Sequence, residues 1–462
     1  MINKIYKLFS ISMVLIVVFG LAACQAPAAA PAAAEQAPAA APAAAAPADT
    51  QAPAAPAEEA KVAPAEKRSL TIWHYESDTG AMGKAWNAAV EEFKKTHPDV
   101  DVVVDSTRGF EQIRQTASMV LNSDQAPDVM EYNKGNATSG LLSSQGLLTD
   151  MTDEVTKRGW DKILTGGMQT TSRYENGVMG SGKWYGVTNY GEFVMVFYNK
   201  DLFKKYDLSV PTTMDEFEKV MATFKAAGIT PIATSAAEYP AQQVFYELAL
   251  SQAKDSTFID NFQLYKSPVD FSGPEFTYAA EKMVDWVNKG YIEKNSTSLK
   301  AEDMGLGFEG GKYPMMISGS WWYGRFMEEI KDFDWGIFLF PGNKYNPGSG
   351  GNLWIVPTNS KNKDLAYDFI DITMSQPIQT ILANSGGIAV NADVSQVTDP
   401  KIKELTEAFA EFSPGAAFYP DWPAAGFYDA LVGDVQELIN GTKTPAEVLK
   451  MMDEFYQQNK PQ

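Results

Sequence analysis

The chain has 462 residues, of which 45% are hydrophobic, 12% aromatic and 21% charged, and its formal net charge is −20 at pH 7. This composition is typical of a globular protein and excludes a wholly disordered chain. Because so acidic a surface repels polyphosphate, we expect no nucleic acid among its partners. One cysteine and two histidines allow no internal disulfide and provide no ligand set for a structural zinc ion.

Residues 1–23 have the pattern of a lipoprotein signal peptide. Lys4 and Lys7 precede a short apolar segment that ends in "LAAC", and this segment is too short to span a bilayer comfortably. The ending resembles the lipobox of bacterial lipoproteins, and it contains the only cysteine, Cys24. The resemblance implies cleavage before Cys24, lipidation of its thiol, and anchoring of the protein to the extracytoplasmic face of the cell membrane.

Residues 24–66 form a segment dominated by alanine and proline, as in "APAAAPAAAEQAPAAAPAAAAPA". Proline removes backbone hydrogen-bond donors and blocks helix formation, so this segment is predicted to be an extended, semi-rigid linker. Such a linker holds a folded domain near the membrane and carries no chemistry of its own.

Residues 67–462 alternate between strand and helix patterns. A strand is predicted in residues 69–75, and a helix in 81–98 that stops at Pro98; further strands follow in "DVDVVVDS" and in 127–132. A second alternating block begins at "EFVMVFYNKDLF", after which Thr212 or Thr213 is a candidate helix N-cap. Further helices are predicted near residues 241–253, 275–289, 361–375, 401–411 and 426–440. This alternation predicts an α/β fold with mainly parallel sheets, and the length predicts two lobes.

The signatures of common enzymes are missing from the sequence. The "GSGG" segment at 348–351 lacks the strand and helix that surround a nucleophile elbow, and no phosphate loop with its lysine is present. We therefore expect no catalytic residue, no metal and no cofactor. An exported glycosidase stays open as an alternative, because 58 acidic residues make some carboxylate pair inevitable.

Several predicted loops combine aromatic residues with acids and amides, and "SGSWWYG" at 318–324 places three aromatics in a row. Three consecutive rings cannot all point into one core. Sugar rings have apolar faces that lie flat on aromatic rings, and hydroxyl rims that need carboxylates and amides. The loop composition therefore favours a carbohydrate-binding site.

Seven segments follow one another along the chain: "TIWHYES", "FKKTHPDVDVVV", "APDVMEY", "GVTNYGEFVMVFYNKDLFKKYDLSVPTTMDEFEKV", "FEGGKYPMMISGSWW", "PGSGGNLWIVPTNSKNKDLAYDFI" and "SGGIAVN". Their order resembles the family 1 extracellular solute-binding proteins of ABC importers, the family of the maltose- and other sugar-binding proteins. The resemblance implies the type II periplasmic-binding-protein fold, in which two α/β lobes close on a ligand in the cleft between them. It also implies a carbohydrate ligand, a monomeric protein, and the transmembrane subunits of an ABC permease as partners.

By this resemblance the chain crosses between the lobes near residues 189–193, 350–353 and 386–390. Lobe 1 would comprise about 67–190 and 352–386, and lobe 2 about 191–350 and 387–462. Glycines at the crossings would absorb the backbone rotation of lobe closure, and they are Gly191, Gly350, Gly351, Gly386 and Gly387.

The resemblance also carries candidate ligand-binding residues. Trp321 stands where relatives place a tryptophan that stacks on the ligand, whereas its neighbour Trp322 is expected to be buried because adjacent residues face opposite ways. Near the C-terminus Trp422, Asp421 and Tyr428 compete for one cleft position, and Trp422 is preferred. The full set of predicted ligand-binding residues is Trp321, Tyr239, Tyr132, Glu192, Tyr75, Glu76, Glu131, Trp422, Tyr323 and Trp354.

One position departs from the maltose-binding pattern. Where relatives carry an acid a few residues after the aromatic of "MEYNKGN", this chain has Gly135. The sequence therefore leaves the sugar unnamed, and the same fold with a polyamine, an amino acid or a glycerophosphodiester as ligand stays open.

Overall fold

In the computed structural model the described residues are 67–461, so the predicted signal peptide, Cys24 and the linker lie outside them. The strands in this range are β1 Ser69–Trp73, β2 Asp101–Asp105, β3 Val129–Tyr132, β4 Arg173–Glu175, β5 Val178–Met179, β6 Lys183–Trp184, β7 Val187–Thr188, β8 Tyr190–Asn199, β9 Ile232–Ala233, β10 Met315–Gly319, β11 Trp335–Phe338, β12 Gly348–Gly350, β13 Leu353–Ile355 and β14 Ile388–Ala389.

Most of the chain between these strands is helical. The α-helices are α1 Ala81–Thr96, α2 Phe110–Leu121, α3 Leu141–Ser144, α4 Thr152–Arg158, α5 Trp160–Ile163, α6 Gly167–Ser172, α7 Lys200–Lys205, α8 Met214–Ala226, α9 Ala241–Leu250, α10 Thr257–Leu264, α11 Pro274–Asn288, α12 Ala301–Glu309, α13 Tyr323–Glu329, α14 Lys363–Met374, α15 Gln376–Asn384, α16 Pro400–Phe412, α17 Phe427–Asn440 and α18 Pro445–Asn459. Across residues 67–461, no helix is long and apolar enough to cross a membrane.

The first sheet has the strand order β2-β1-β3-β13-β7. Strand β1 pairs in parallel with β2 and β3, whereas β13 is antiparallel to both β3 and β7. Helix α1 covers this sheet because its apolar residues recur at helical spacing, and Trp86 and Phe93 are completely buried there with Leu70 and Ile72 of β1.

The second sheet is built around β8, whose ten residues include the continuous apolar run "FVMVF". A strand that is buried on both faces has such a run rather than an alternating pattern. Strands β10, β11, β12 and β14 all pair with β8, each in antiparallel orientation, and β9 adds to β10 in parallel. A small antiparallel sheet of β5, β4 and β6 stands apart from both.

The chain passes between the two large sheets at a single place. It leaves the first sheet after β7 and enters β8 at Tyr190, and it returns between β12 and β13. After α15 it enters the second sheet again in β14. Gly191 pairs with both Gly350 and Ile388, so the three connections lie side by side. A Cβ atom at Gly191 would lie 2.6 Å from Cζ of Phe409, which explains why this position has no side chain.

The early elements agree with the sequence patterns. The predicted strand at 69–75 and helix at 81–98 are confirmed as β1 and α1, the latter ending at Thr96. Thr213 caps α8 in a reciprocal capping box with Glu216. The expectation of mainly parallel sheets is wrong for the second sheet, because every strand that joins β8 enters from the opposite end.

Candidate ligand-binding site

A cavity of about 250 Å³ lies where the two large sheets meet. Tyr75 and Glu76 reach it from the end of β1, and Lys134 reaches it from the loop after β3. From the second sheet come Glu192 of β8 and Trp321, which follows β10. The cavity therefore lies beyond the carboxyl ends of the parallel strands, the usual ligand position in α/β sheets.

Aromatic rings make up half of the cavity wall. Trp321 meets Tyr239 nearly at right angles, with ring centroids 5.8 Å apart, and lies 6.2 Å from the ring of Tyr419. Both contacts leave part of each ring facing the cavity. The lining aromatics are Tyr75, Phe110, Tyr190, Tyr239, Trp321, Tyr419, Trp422 and Tyr428.

Small residues determine where the two tryptophans of "SGSWW" point. A Cβ atom at Gly319 would lie 1.9 Å from Cζ3 of Trp321, so only glycine lets this ring fold back over the end of β10. Trp322 turns the other way and lies against Gly305, stacked on Phe326 at 5.6 Å. Trp322 is buried, as its neighbour relationship to Trp321 predicts.

The Lys134 ammonium forms a buried ion pair with the Glu192 carboxylate. Its Nζ also lies 4.5 Å from the centroid of the Tyr419 ring, within range of a cation–π interaction. Burial lowers the pKa of Lys134, and the nearby carboxylates of Asp421 and Glu131 act in the opposite direction. The pair thus places one cation and one anion at the cavity wall.

Burial raises the pKa of two further acids of this wall, Glu76 and Asp421, and of Glu131 behind it. Burial raises the pKa of Glu76 to about 7, although its hydrogen bond to Glu131 opposes that rise. The pKa of Glu131 lies well above its usual value because of burial and the adjacent charge of Glu76. Burial likewise raises the pKa of Asp421 to about 6, while Gln242 Nε2 donates to its Oδ1 at 2.9 Å. At neutral pH, Glu76 and Glu131 can therefore either donate or accept hydrogen bonds, whereas Asp421, whose pKa is lower, mainly accepts them.

Amides and hydroxyls complete the polar part of the wall. Asn133 Nδ2 donates to Asn352 Oδ1 at 3.3 Å, and Asn352 in turn donates to the Tyr75 hydroxyl. The Tyr419 hydroxyl and Gln243 Oε1 are buried and have no hydrogen-bond partner among residues 67–461. Buried polar atoms without partners are rare in folded proteins, so these two are available to a polar ligand. Within the same range, no group of three or more His, Cys, Asp or Glu is arranged to hold a metal ion.

The family model for bacterial extracellular solute-binding proteins matches residues 76–380. The chain belongs to this family. The multiple sugar-binding protein of Streptococcus mutans is 25% identical over 361 residues, which cover 75% of this chain and 81% of that protein. The diacetylchitobiose-binding protein of Streptomyces coelicolor is 23% identical over 403 residues, or 83% of this chain and 88% of its own.

Solved structures agree with the fold of this solute-binding protein. A structure from work on xylan utilization by the thermophilic bacterium Caldanaerobius polysaccharolyticus matches with a TM-score of 0.73 and 23% identity. The match covers 84% of this chain and 99% of that one. The two-lobed α/β fold that the sequence resemblance implied is therefore confirmed.

Most of the predicted site residues of this solute-binding protein lie in the cavity. The structure brings together Trp321, Tyr239, Glu192, Tyr75, Glu76 and Trp422. Asp421 and Tyr428, the competitors of Trp422 in the sequence, line the cavity as well. All three residues of that segment therefore line the same cavity.

Four predicted residues lie elsewhere, and their placement corrects the sequence interpretation. Tyr323 begins α13 and is fully buried, with its hydroxyl donating to the Lys401 carbonyl at 2.6 Å. Trp354 lies in β13, between strands β3 and β7. Its ring packs against helix α1, with its centroid 5.5 Å from that of the Trp86 ring.

The other two corrections concern strand β3. Glu131 is only 1% exposed and lies behind the wall, where it contacts Glu76 and accepts from the Tyr190 hydroxyl at 3.4 Å. Tyr132 points to the opposite side of the strand from Glu131, as strand geometry requires. It lines a second, smaller cavity instead.

Several lining residues were not singled out from the sequence. Asn133, Lys134, Asn352 and Tyr419 stand in loops, and Gln243 lies in the first turn of α9. All five belong to segments that were predicted as loops, and the mixture of aromatics, acids and amides in those segments was the available signal. Phe110, Met82 and Tyr190 also line the cavity. They stand in or beside regular elements, where an apolar residue is indistinguishable from core in sequence.

Proposed function

We propose that this solute-binding protein captures a carbohydrate, a mono- or oligosaccharide, in the cavity and delivers it to an ABC permease. The observation that carries this proposal is the composition of the cavity wall, where eight aromatic rings stand beside three carboxyls and three amides. Aromatic faces suit the apolar faces of sugar rings, and the carboxyls and amides suit their hydroxyls. The relatives whose names refer to multiple sugars and to diacetylchitobiose support the same ligand class.

Capture would work by lobe closure. Tyr75 and Glu76 follow a strand of the first sheet, whereas Glu192 lies in the second sheet and Trp321 follows one of its strands. A sugar held by all four would therefore gain most of its contacts only when the lobes are together. A ligand shifts a conformational equilibrium by its difference in affinity for the two states. Closure would then be the signal that the permease recognises.

The delivery role also requires a place at the membrane. The proposal includes a lipid on Cys24 and residues 24–66 as a tether on the extracytoplasmic side, with the protein acting as a monomer. A tether in polyproline geometry could reach on the order of 100 Å. Replacing Cys24 by Ser should release the protein from the membrane fraction of expressing cells, whereas retention there would contradict the anchor.

The proposed role is binding without turnover. A glycosidase needs two carboxyls about 5 to 10 Å apart on either side of the scissile bond. Glu76 and Glu131 instead share a hydrogen bond, which leaves no room for a glycosidic bond between them.

A cationic solute such as a polyamine is the second candidate. Glu76 and Asp421 line the cavity and feel the charge of Lys134, but within residues 67–461 neither of them forms a salt bridge. Such carboxyls would attract an ammonium group. The abundance of stacking faces favours the sugar, because a flexible polyamine has no flat apolar face to match them.

A thermal-shift screen of the purified chain tests the proposal. The panel should contain mono- and oligosaccharides, amino acids, polyamines and glycerophosphodiesters. A ligand at 100 times its Kd stabilises the folded state by about 2.7 kcal/mol. We expect a saccharide to raise the melting temperature; a shift with spermidine and none with any saccharide would replace the carbohydrate by the polyamine.

A further inference from the structure

A second cavity of about 120 Å³ lies beside the first. Trp422 and Tyr428 line both cavities, so these two rings form the partition between them. Their planes are nearly parallel, at 9°, with centroids 5.2 Å apart. On the side of the main cavity, Phe110 meets both rings edge-on, at 6.3 and 6.4 Å.

The far side of the partition is held by an arginine. The Arg114 guanidinium lies 4.9 Å from the centroid of the Tyr428 ring and is paired with Asp429 at 2.9 Å and with Glu111 at 2.7 Å. Only 13% of the Arg114 side chain is exposed. On the near side, the backbone N–H of Tyr239 donates to the Tyr428 hydroxyl at 3.3 Å. Tyr428 is therefore held from both sides.

Trp422 is held by the loop that follows β3. The backbone N–H of Ala137 donates to the Trp422 carbonyl at 3.0 Å. Gly135 lies so close that a Cβ atom there would be 2.4 Å from Cβ of Trp422. The ring that divides the cavities thus belongs to the second lobe, while the first lobe fixes its backbone.

The second cavity has the chemistry of a sugar site. Its wall includes the Tyr132 ring, the Arg114 guanidinium and the hydroxyls of Thr138 and Ser118. Tyr132 is one of the residues that the family resemblance assigned to the ligand, yet it lies on the far side of the partition from the main cavity.

We propose that the Trp422–Tyr428 ring pair is an end wall that sets the length of the bound saccharide. The second cavity, which Tyr132 lines, is then an extension that one more sugar unit would fill if the wall were removed. This inference rests on the proposed carbohydrate function. The main cavity is smaller than the roughly 300–1,000 Å³ usual for drug-sized ligands, so the wall confines the wild-type protein to short saccharides.

The test compares affinities along three series, malto-, xylo- and chito-oligosaccharides of one to four units, by titration calorimetry on the full chain. In the series that the wild-type protein binds, one chain length will bind most tightly. The ratio to measure is the affinity for a saccharide one unit longer divided by the affinity for that preferred length, and we expect Trp422→Ala to raise this ratio. The expected rise is at least about tenfold, which corresponds to 1.4 kcal/mol.

Tyr132 provides the matched control. Tyr132→Leu should leave binding unchanged in the wild-type background, because the wall separates this ring from the ligand. In the Trp422→Ala background the same change should cancel the gain for the longer chain. Circular dichroism would show whether Trp422→Ala folds. If it does not, Tyr428→Leu opens the wall by removing its other ring, and the same affinity ratio measured on Tyr428→Leu tests the inference.

Two results would overturn the inference while leaving the proposed function intact. An equal loss of affinity for every chain length in Trp422→Ala would make Trp422 a stacking platform rather than a wall. An unchanged length ratio would show that the second cavity stays inaccessible. If the wild-type protein binds no member of any series, the proposed carbohydrate function itself fails.

Discussion

Lys134 and Glu192 join the two lobes of this protein through a buried ion pair at the wall of the ligand cavity. Lys134 follows the third strand of the first sheet, and Glu192 is the third residue of the central strand of the second. The side chains are only 5% and 9% exposed, so neither charge has bulk water as an alternative partner.

Removing one member of this pair should therefore be costly. Lys134→Met leaves the Glu192 carboxylate buried without its cation, and we expect the free energy of unfolding to fall by about 3 kcal/mol. Chemical denaturation of the unliganded protein measures this loss. The double variant Lys134→Met/Glu192→Gln, which removes both charges, should recover most of it; equal losses in the single and double variants would argue against the pair.

The adjacent tryptophans 321 and 322 should behave oppositely. Trp321→Ala should abolish the saccharide-induced thermal shift at a small cost to the unliganded melt, because part of its ring faces the cavity. Trp322→Ala should cost about 3 to 5 kcal/mol of stability, because its ring fills a packed space beside Gly305 and Phe326. Melting curves with and without ligand distinguish the two roles, and the same loss of unliganded stability in both variants would place Trp321 in the core.

The raised pKa of Glu76, about 7, predicts a dependence of stability on pH. Between about pH 4.5 and 7 the folded protein keeps a proton that the unfolded chain has released, so stability falls as pH rises through this window. The slope for one group is at most about 1.4 kcal/mol per pH unit. Glu76→Gln has no such proton to lose. The melting temperature of this variant minus that of the wild type should therefore increase from pH 5 to pH 8. Parallel curves would contradict the assignment.

Gly135 should be irreplaceable, although it has no side chain and its one contact with a polar side chain is the backbone N–H that donates to the Tyr174 hydroxyl at 2.9 Å. Its φ of 116° and ψ of 167° lie in a region that only glycine occupies readily, and a Cβ atom would collide with Trp422. Gly135→Ala should therefore destabilise the protein by about 2 kcal/mol or more and weaken saccharide binding.

Gly146 is the matched control for that variant. It also has a positive φ, 71°, but nothing lies within 4 Å of the position of its Cβ atom. Gly146→Ala should cost only about 1 kcal/mol and leave binding unchanged. If both variants lose the same stability and bind equally well, the contact between Gly135 and Trp422 has no role.

The sequence was most informative where periodicity and order carry the fold. Alternation over 69–75 and helical spacing over 81–98 predicted the first strand and helix, because burial on one face imposes those periods. The antiparallel partners of the long strand 190–199 could not be predicted. A continuous apolar run has no alternating pattern, so it does not show whether the neighbouring strands are parallel or antiparallel.

At the site, the types of residue were easier to predict than the directions in which their side chains point. Trp321 and Trp322 are adjacent and chemically identical, and the close approach of Gly319 and Gly305 decides which one faces the cavity. Trp354 was misassigned because a tryptophan that packs on Trp86 looks the same in sequence as one that packs on a sugar. Lys134 was missed because its role depends on Glu192, which is 58 residues away along the chain.

The meeting of three chain connections at Gly191 has a mechanical consequence. Gly350 lies on one side of Gly191 and Ile388 on the other, so we expect any rotation of one lobe against the other to occur about this short row. A substitution here would change how often the lobes come together without altering any atom that a solute touches. We therefore expect substitutions at Gly191 and its two strand partners to change affinity, and substitutions of the aromatic rings around the cavity to change selectivity.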